Sequence, residues 1–219
     1  MIKTNKILIA TIALTAWFAL ILQLYILIHN TPDNGMTPLI AVGRFLIFFT
    51  ILTNLLVAAC LSILLVSKQS AAGRFFSKPS VITAVALYIF IVGLVYNIIL
   101  RSVWHPQGWQ KLADELLHVA VPLLFIIYWL LFAPKNNLQW MDAFRWLLYP
   151  AVYLVYAIVR SSMEGFYPYP FINANELPIG RVFMNSFGLL IVFIISGFLF
   201  IAIGKWLSGE MNNEKNGLW

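Results

Sequence analysis

Thr50 and His118 are the side chains of this sequence that could together carry a nucleophilic reaction. A threonine hydroxyl is a weak nucleophile until a base stands beside it, and a histidine can accept and return a proton near neutral pH. Around them lie polar residues at helical spacing. Thr50 and Asn54, Asn97 and Arg101, Asp114 and His118, and Tyr156 and Arg160 each stand four apart, so each pair shares one helix face. Asp114 is placed to hold the tautomer of a histidine one turn later. It is equally well explained as a surface carboxylate at a helix start, where the macrodipole favours negative charge. Arg44, Arg101 and Arg160, with Asn54, Asn97 and Asn185, offer donors for an anionic carboxylate or a developing oxyanion. Tyr156 and Tyr167 complete the candidate binding residues. The chemistry this set suits is hydrolysis or transfer of an acyl ester.

Plainer roles exist for each group. The arginines can snorkel to headgroups, Thr50, Thr53 and Asn54 can join helices by hydrogen bonds, and His118 can be a packing residue. Metal catalysis is disfavoured, because the only histidines are His29, His105 and His118, no HExxH pattern occurs, and carboxylates near them are sparse. No cofactor is expected. The solitary Cys60 excludes an intramolecular disulfide, and its apolar setting makes it a packing residue.

The elements that must position these residues are membrane helices. The chain is 62% hydrophobic and 10% charged, against roughly 25% charged in a soluble domain, and its mean hydropathy is +0.88. Six apolar stretches, at about 7–28, 44–66, 80–100, 115–133, 143–161 and 182–204, approach or exceed the ~20 residues that a spanning helix needs. The expectation is a single all-α membrane domain over residues 1–219, a bundle of six transmembrane helices. The first stretch follows Lys3 and Lys6 as a signal sequence would, but it is too long for an h-region and no small-residue cleavage site follows, so it is expected to remain as a span.

Lys3, Lys6, Lys68, Arg74, Lys78, Lys135, Arg145, Lys205 and Lys215 fall on one side of such a bundle, while the loops on the other side hold only Arg101, Lys111, Arg160 and Arg181, with no Lys or Arg in the segment from Asn30 to Thr37. This asymmetry places both termini in the cytoplasm. The net charge of +6 is then a topology signal and no argument for nucleic acid. With that orientation Arg44, Thr50, Asn97, Arg101, Asp114, His118, Tyr156, Arg160 and Asn185 all fall in the outer half of the bilayer. The site would open sideways to lipid, with membrane lipids as partners and a lipid ester as substrate. The outer loops 104–109 and 164–171 are rich in Trp, Tyr and Pro, which fits either an interfacial aromatic belt or a rim over a site. No internal repeat is visible, which weighs against a transporter. A non-catalytic lipid- or protein-binding scaffold remains the main alternative to a hydrolase.

Arg-Phe-Leu at 44–46, Phe-Phe-Thr-Ile-Leu-Thr-Asn-Leu-Leu at 48–56, Leu-Leu-His-Val-Ala-Val-Pro at 116–122 and Tyr-Pro-Tyr-Pro-Phe at 167–171, in that order, resemble the bacterial Pr6Pr membrane proteins. The resemblance extends over nearly the whole chain and includes Leu94 to Asn97, Arg101 and the Trp104-His105-Pro106 loop. The Thr, His-before-Pro and Tyr-Pro-Phe segments are distantly similar to the eukaryotic androgen-induced-gene family of intramembrane threonine hydrolases. That likeness implies cleavage of fatty-acyl esters with His118 as base, and the bacterial resemblance implies a bacterial cytoplasmic membrane. The nucleophile it implies is Thr50, if one residue is inserted relative to the eukaryotic spacing, or else Thr53.

Overall fold

The computed structural model describes residues 2–30 and 37–215, with side chains described from Lys6 to Gly209 outside that gap. The loop 31–36 and the side chains of Lys3 and Lys215, which carry part of the topology argument, lie outside the described residues. Among the described residues, six helical segments are long and apolar enough to cross a membrane: Lys6–His29, Phe49–Val66, Pro79–Leu100, Gly108–Phe132, Asp142–Glu164 and Ile179–Gly209. The protein is all-α, as its composition requires, because a backbone in hydrocarbon must satisfy its own polar groups. Its residues divide into two compact units, 1–134 and 135–219.

In the first unit, α1 (Ile2–His29) packs mainly on α3 (Phe49–Val66). The contact stripe of α1 is Ile9, Ile12, Ala13, Ala16, Ala19 and Leu20, all buried and spaced by three or four. The three alanines let the backbones approach closely, which matters because lipid supplies no hydrophobic drive between helices. Polar pairs fasten the helices along their length. Trp17 Nε1 donates to Ser62 Oγ at 3.1 Å, and Trp129 Nε1 donates to Thr83 Oγ1 at 3.0 Å. Gln23 and Gln110 exchange amide hydrogen bonds at 2.8 and 3.4 Å.

Three irregularities interrupt this regular packing. The apolar run expected to form one helix from Arg44 is broken: α2 (Pro38–Leu46) stops, Phe48 turns extended with φ −81° and ψ 129°, and α3 starts afresh at Phe49. The short α4 (Ala71–Phe76) leads to α5 (Pro79–Val95), whose last turn, Tyr96–Leu100, is a π-helix. The fourth span begins at Gly108, earlier than expected, as α6 (Gly108–Glu115), passes through a second π-turn at Leu116–Ala120, and continues as α7 (Val121–Phe132). Single π-turns inside α-helices are rare and gather at functional sites.

In the second unit, α8 (Asp142–Arg145) is a single turn before α9 (Leu148–Glu164), and α10 (Ile179–Lys215) is a long final helix. Gly165 ends α9 with a left-handed φ of 66°, and its N–H bonds Ser161 O at 2.8 Å. Phe198 of α10 packs against Trp140 and Phe144. Asn185 Nδ2 donates to Phe171 O at 2.9 Å, tying α10 to the Tyr-Pro-Phe segment, in which Tyr169 and Phe171 stack.

Candidate functional site

Thr50 is the second residue of α3, so the break after Ile47 sets its hydroxyl in the first turn of a helix that begins inside the apolar zone. There the helix dipole favours negative charge. Thr50 is buried, at 6% exposure, and one turn on Asn54 is completely buried. Asn54 Nδ2 donates to Thr50 O at 2.8 Å and to Leu117 O at 3.2 Å.

The second of those bonds explains how the His118 turn is held. In the π-turn, Val121 N–H reaches back five residues to Leu116 O, so it no longer serves Leu117 O, its normal α-helical acceptor. Asn54 supplies the missing donor. Pro122 has no N–H to offer His118 O, and Gly93 of α5 leaves room for that carbonyl, since a Cβ there would stand 3.2 Å from it. The turn therefore has its two freed carbonyls accommodated by other helices, one by the Asn54 amide of α3 and one by the space that Gly93 leaves on α5.

His118 is aimed by this turn at Thr50, and its Nε2 lies 3.3 Å from Thr50 Oγ1. That is the long end of a hydrogen bond. The other ring nitrogen settles the tautomer. Nδ1 lies 2.9 Å from Asp114 O and 3.3 Å from Asp114 Oδ1. A backbone carbonyl only accepts, so Nδ1 carries a hydrogen, and in the neutral ring Nε2 then presents a lone pair to the Thr50 hydroxyl. Asp114 itself is 5% exposed and stands near the C-terminal end of α6. The surface helix-start reading of this residue is therefore overturned, because the helix begins six residues earlier, at Gly108.

Tyr96 is a member of this cluster that its sequence context does not announce. It is 3% exposed, its hydroxyl donates to Asp114 Oδ2, and its ring stacks on His118 with centroids 4.2 Å apart and planes 16° apart. Arg101 lies over the same ring at 5.3 Å and bonds both oxygens of Glu115, at 2.8 and 2.7 Å. Asn97 does not join. It is exposed and donates to Gly93 O of its own helix at 2.8 Å. The four-residue spacing that paired it with Arg101 fails here because Arg101 N–H bonds Tyr96 O, five residues back, which brings residue 96 into register with 101.

Thr53 is fully buried on α3, and Arg44 is half-buried on α2. Cys60 is also fully buried. Among the described residues no three His, Cys, Asp or Glu side chains gather as a metal site would require. Tyr156, Arg160, Tyr167 and Asn185 belong to the second unit. There Arg160 pairs with Glu164 at 2.5 Å and, with Tyr156, lines one side of an apolar groove of about 890 Å³ along Val152, Val155 and Val159 of α9. Tyr167 is half-buried in the loop after α9.

Chemically, the cluster is a hydroxyl facing an unprotonated imidazole nitrogen, with the opposite nitrogen held by a carbonyl and a carboxylate. Asn54 is not available as an oxyanion donor, since both hydrogens of its amide nitrogen point at carbonyls. Compared with protein-family models, curated proteins and solved structures, the chain finds no match.

Proposed function

We propose that this protein is an intramembrane hydrolase of lipid acyl esters, with Thr50 as nucleophile and His118 as general base. The observation that carries the reading is the approach of Thr50 Oγ1 to His118 Nε2, at 3.3 Å, with the far side of the ring held in the tautomer a base needs. The Thr50 oxygen attacks the ester carbonyl carbon while its proton passes to His118 Nε2. The tetrahedral intermediate collapses, the alcohol departs with that proton, and an acyl-threonine remains. A water then gives a proton to Nε2 and attacks the acyl carbon, and the fatty acid leaves as the Thr50 hydroxyl is restored. The Asp114 carboxylate lies against Nδ1, where it offsets the positive charge His118 bears between these transfers. The location of Thr50 in the first turn of α3 favours the negative charge that develops nearby. The distant similarity to the androgen-induced-gene family points the same way, and the charge asymmetry would set this site in the outer half of the membrane with both termini inside.

The test is covalent labelling of the purified protein with an alkyl fluorophosphonate. Wild type should be labelled at Thr50, and Thr50→Ala should lose the label while Thr53→Ala keeps it, each variant eluting as folded protein. Labelling that survives in both variants refutes the mechanism, and absence of labelling and ester turnover in wild type leaves a lipid-binding scaffold as the reading.

A further inference from the structure

We propose that Tyr96 is a positioning residue for His118, holding the Asp114 carboxylate with its hydroxyl and the imidazole with its ring. Its effect on rate rests on the hydrolase reading above. A carboxylate has two oxygens and can rotate between them, but here Oδ2 receives the Tyr96 hydroxyl and Oδ1 is left facing His118 Nδ1 at 3.3 Å. One hydrogen bond thus fixes which oxygen meets the histidine. The ring of the same residue lies over the imidazole at 4.2 Å and 16°, which restricts tilt of His118 out of the plane in which Nε2 points to Thr50. At 3% exposure Tyr96 meets little competition from water for either contact.

The backbone around Tyr96 is shaped for this. Tyr96 continues the buried face of Val85, Ile89 and Val92 on α5 while Asn97 is exposed, and the π-turn that follows brings the Arg101 N–H onto Tyr96 O. On the outer side Arg101 lies over the ring at 5.3 Å, and Glu115 anchors Arg101 at 2.7 Å. Tyr96 thus has Arg101 and His118 against its ring, and His118 in turn faces Thr50. A buried tyrosine used only as packing would need some acceptor for its hydroxyl. It would have no need of the one carboxylate that also faces the histidine.

The discriminating variant is Tyr96→Phe, which keeps the ring and removes the hydroxyl, studied in the full chain in detergent micelles with ¹⁵N-histidine. The exchange of the His118 Nδ1 proton with water should become about tenfold faster in Tyr96→Phe, as expected for loss of a hydrogen bond to a charged group, while the ring-current shift of the imidazole C–H protons persists. Fluorophosphonate labelling of Thr50 should slow by about tenfold. The Tyr96→Phe/Asp114→Asn double variant should label no more slowly than Asp114→Asn alone, because the hydroxyl acts through that carboxylate. Unchanged proton exchange in Tyr96→Phe overturns the proposal, as do losses that multiply in the double variant. Faster exchange in Tyr96→Phe with no labelling of wild type upholds the positioning role and sinks the hydrolase reading, so the two fail separately.

Discussion

Gly93→Ala is a one-carbon perturbation whose sign the packing decides. In a helix interior this change ordinarily stabilises by roughly 0.5–1 kcal/mol, through the lower backbone entropy of the unfolded chain. At position 93, however, the added Cβ would stand 3.2 Å from His118 O and 3.2 Å from Pro122 Cβ. Both neighbours are stiff, one being the backbone of a π-turn and the other a ring, so relief requires a shift of a few tenths of an ångström in the His118 segment itself. Overpacking of this kind costs about 1–3 kcal/mol, which outweighs the helix gain. The shift also falls on a Thr50–His118 distance already at 3.3 Å, and misplacement by 1 Å can lower a rate by ~100-fold. We expect Gly93→Ala to unfold at lower temperature in micelles than wild type and to label at Thr50 at least several-fold more slowly. Gly188→Ala, where an added Cβ meets nothing within 4 Å, is the control and should be neutral or stabilising. If Gly93→Ala is as stable and as reactive as the Gly188→Ala control, the close approach of α5 to the His118 turn is not the constraint described here.

Asn54→Leu should destabilise by about 1–3 kcal/mol, because it leaves the carbonyl freed by the π-turn at Leu117 buried without its donor; thermal unfolding in micelles reads this directly, and wild-type stability would refute it. Burial lowers the Lys135 ammonium from 10.5 to about 8. Between those values the unfolded chain binds more protons than the folded one, so this group's contribution to stability is lost as pH falls through about 8 and regained towards 10.5. The melting temperature of wild type relative to Lys135→Met should therefore rise between pH 8 and pH 10, and parallel profiles would refute the assignment. For topology, Ser70→Cys and Asn137→Cys should resist an impermeant thiol reagent in intact cells while Gln107→Cys reacts; the opposite labelling would invert the orientation.

The six spans are legible in the sequence because apolar runs of this length have no other stable use, and the pairs Thr50/Asn54 and Asp114/His118 are legible because residues four apart meet in both, within an α-helix at the first and despite the π-turn at the second. The break at Ile47 and Phe48 is not, since neither glycine nor proline marks it and the residues continue the apolar run. The two π-turns are hidden for a related reason: they alter register by one residue while leaving composition untouched. The first of them pairs Arg101 with Tyr96 in place of Asn97, and an aromatic near a helix end reads as belt or packing until its hydroxyl is seen on a carboxylate. One signal was present. Pro122, four residues after His118, removes the N–H that an α-helix would send to the His118 carbonyl, and so marks this turn as irregular.

The hydrogen bonds that join Thr50, His118, Asp114 and Tyr96 to one another all close within the first 134 residues, inside one of the two compact units. A chain made from its N-terminus delivers Thr50 with the second span, Tyr96 with the third and His118 with the fourth. Because such units tend to fold in the order they are synthesised, Thr50 and His118 can meet before the last two spans are made. The mutual bonds of these four side chains therefore call on no residue after Pro134, and a chain ending there already holds every partner they need for one another.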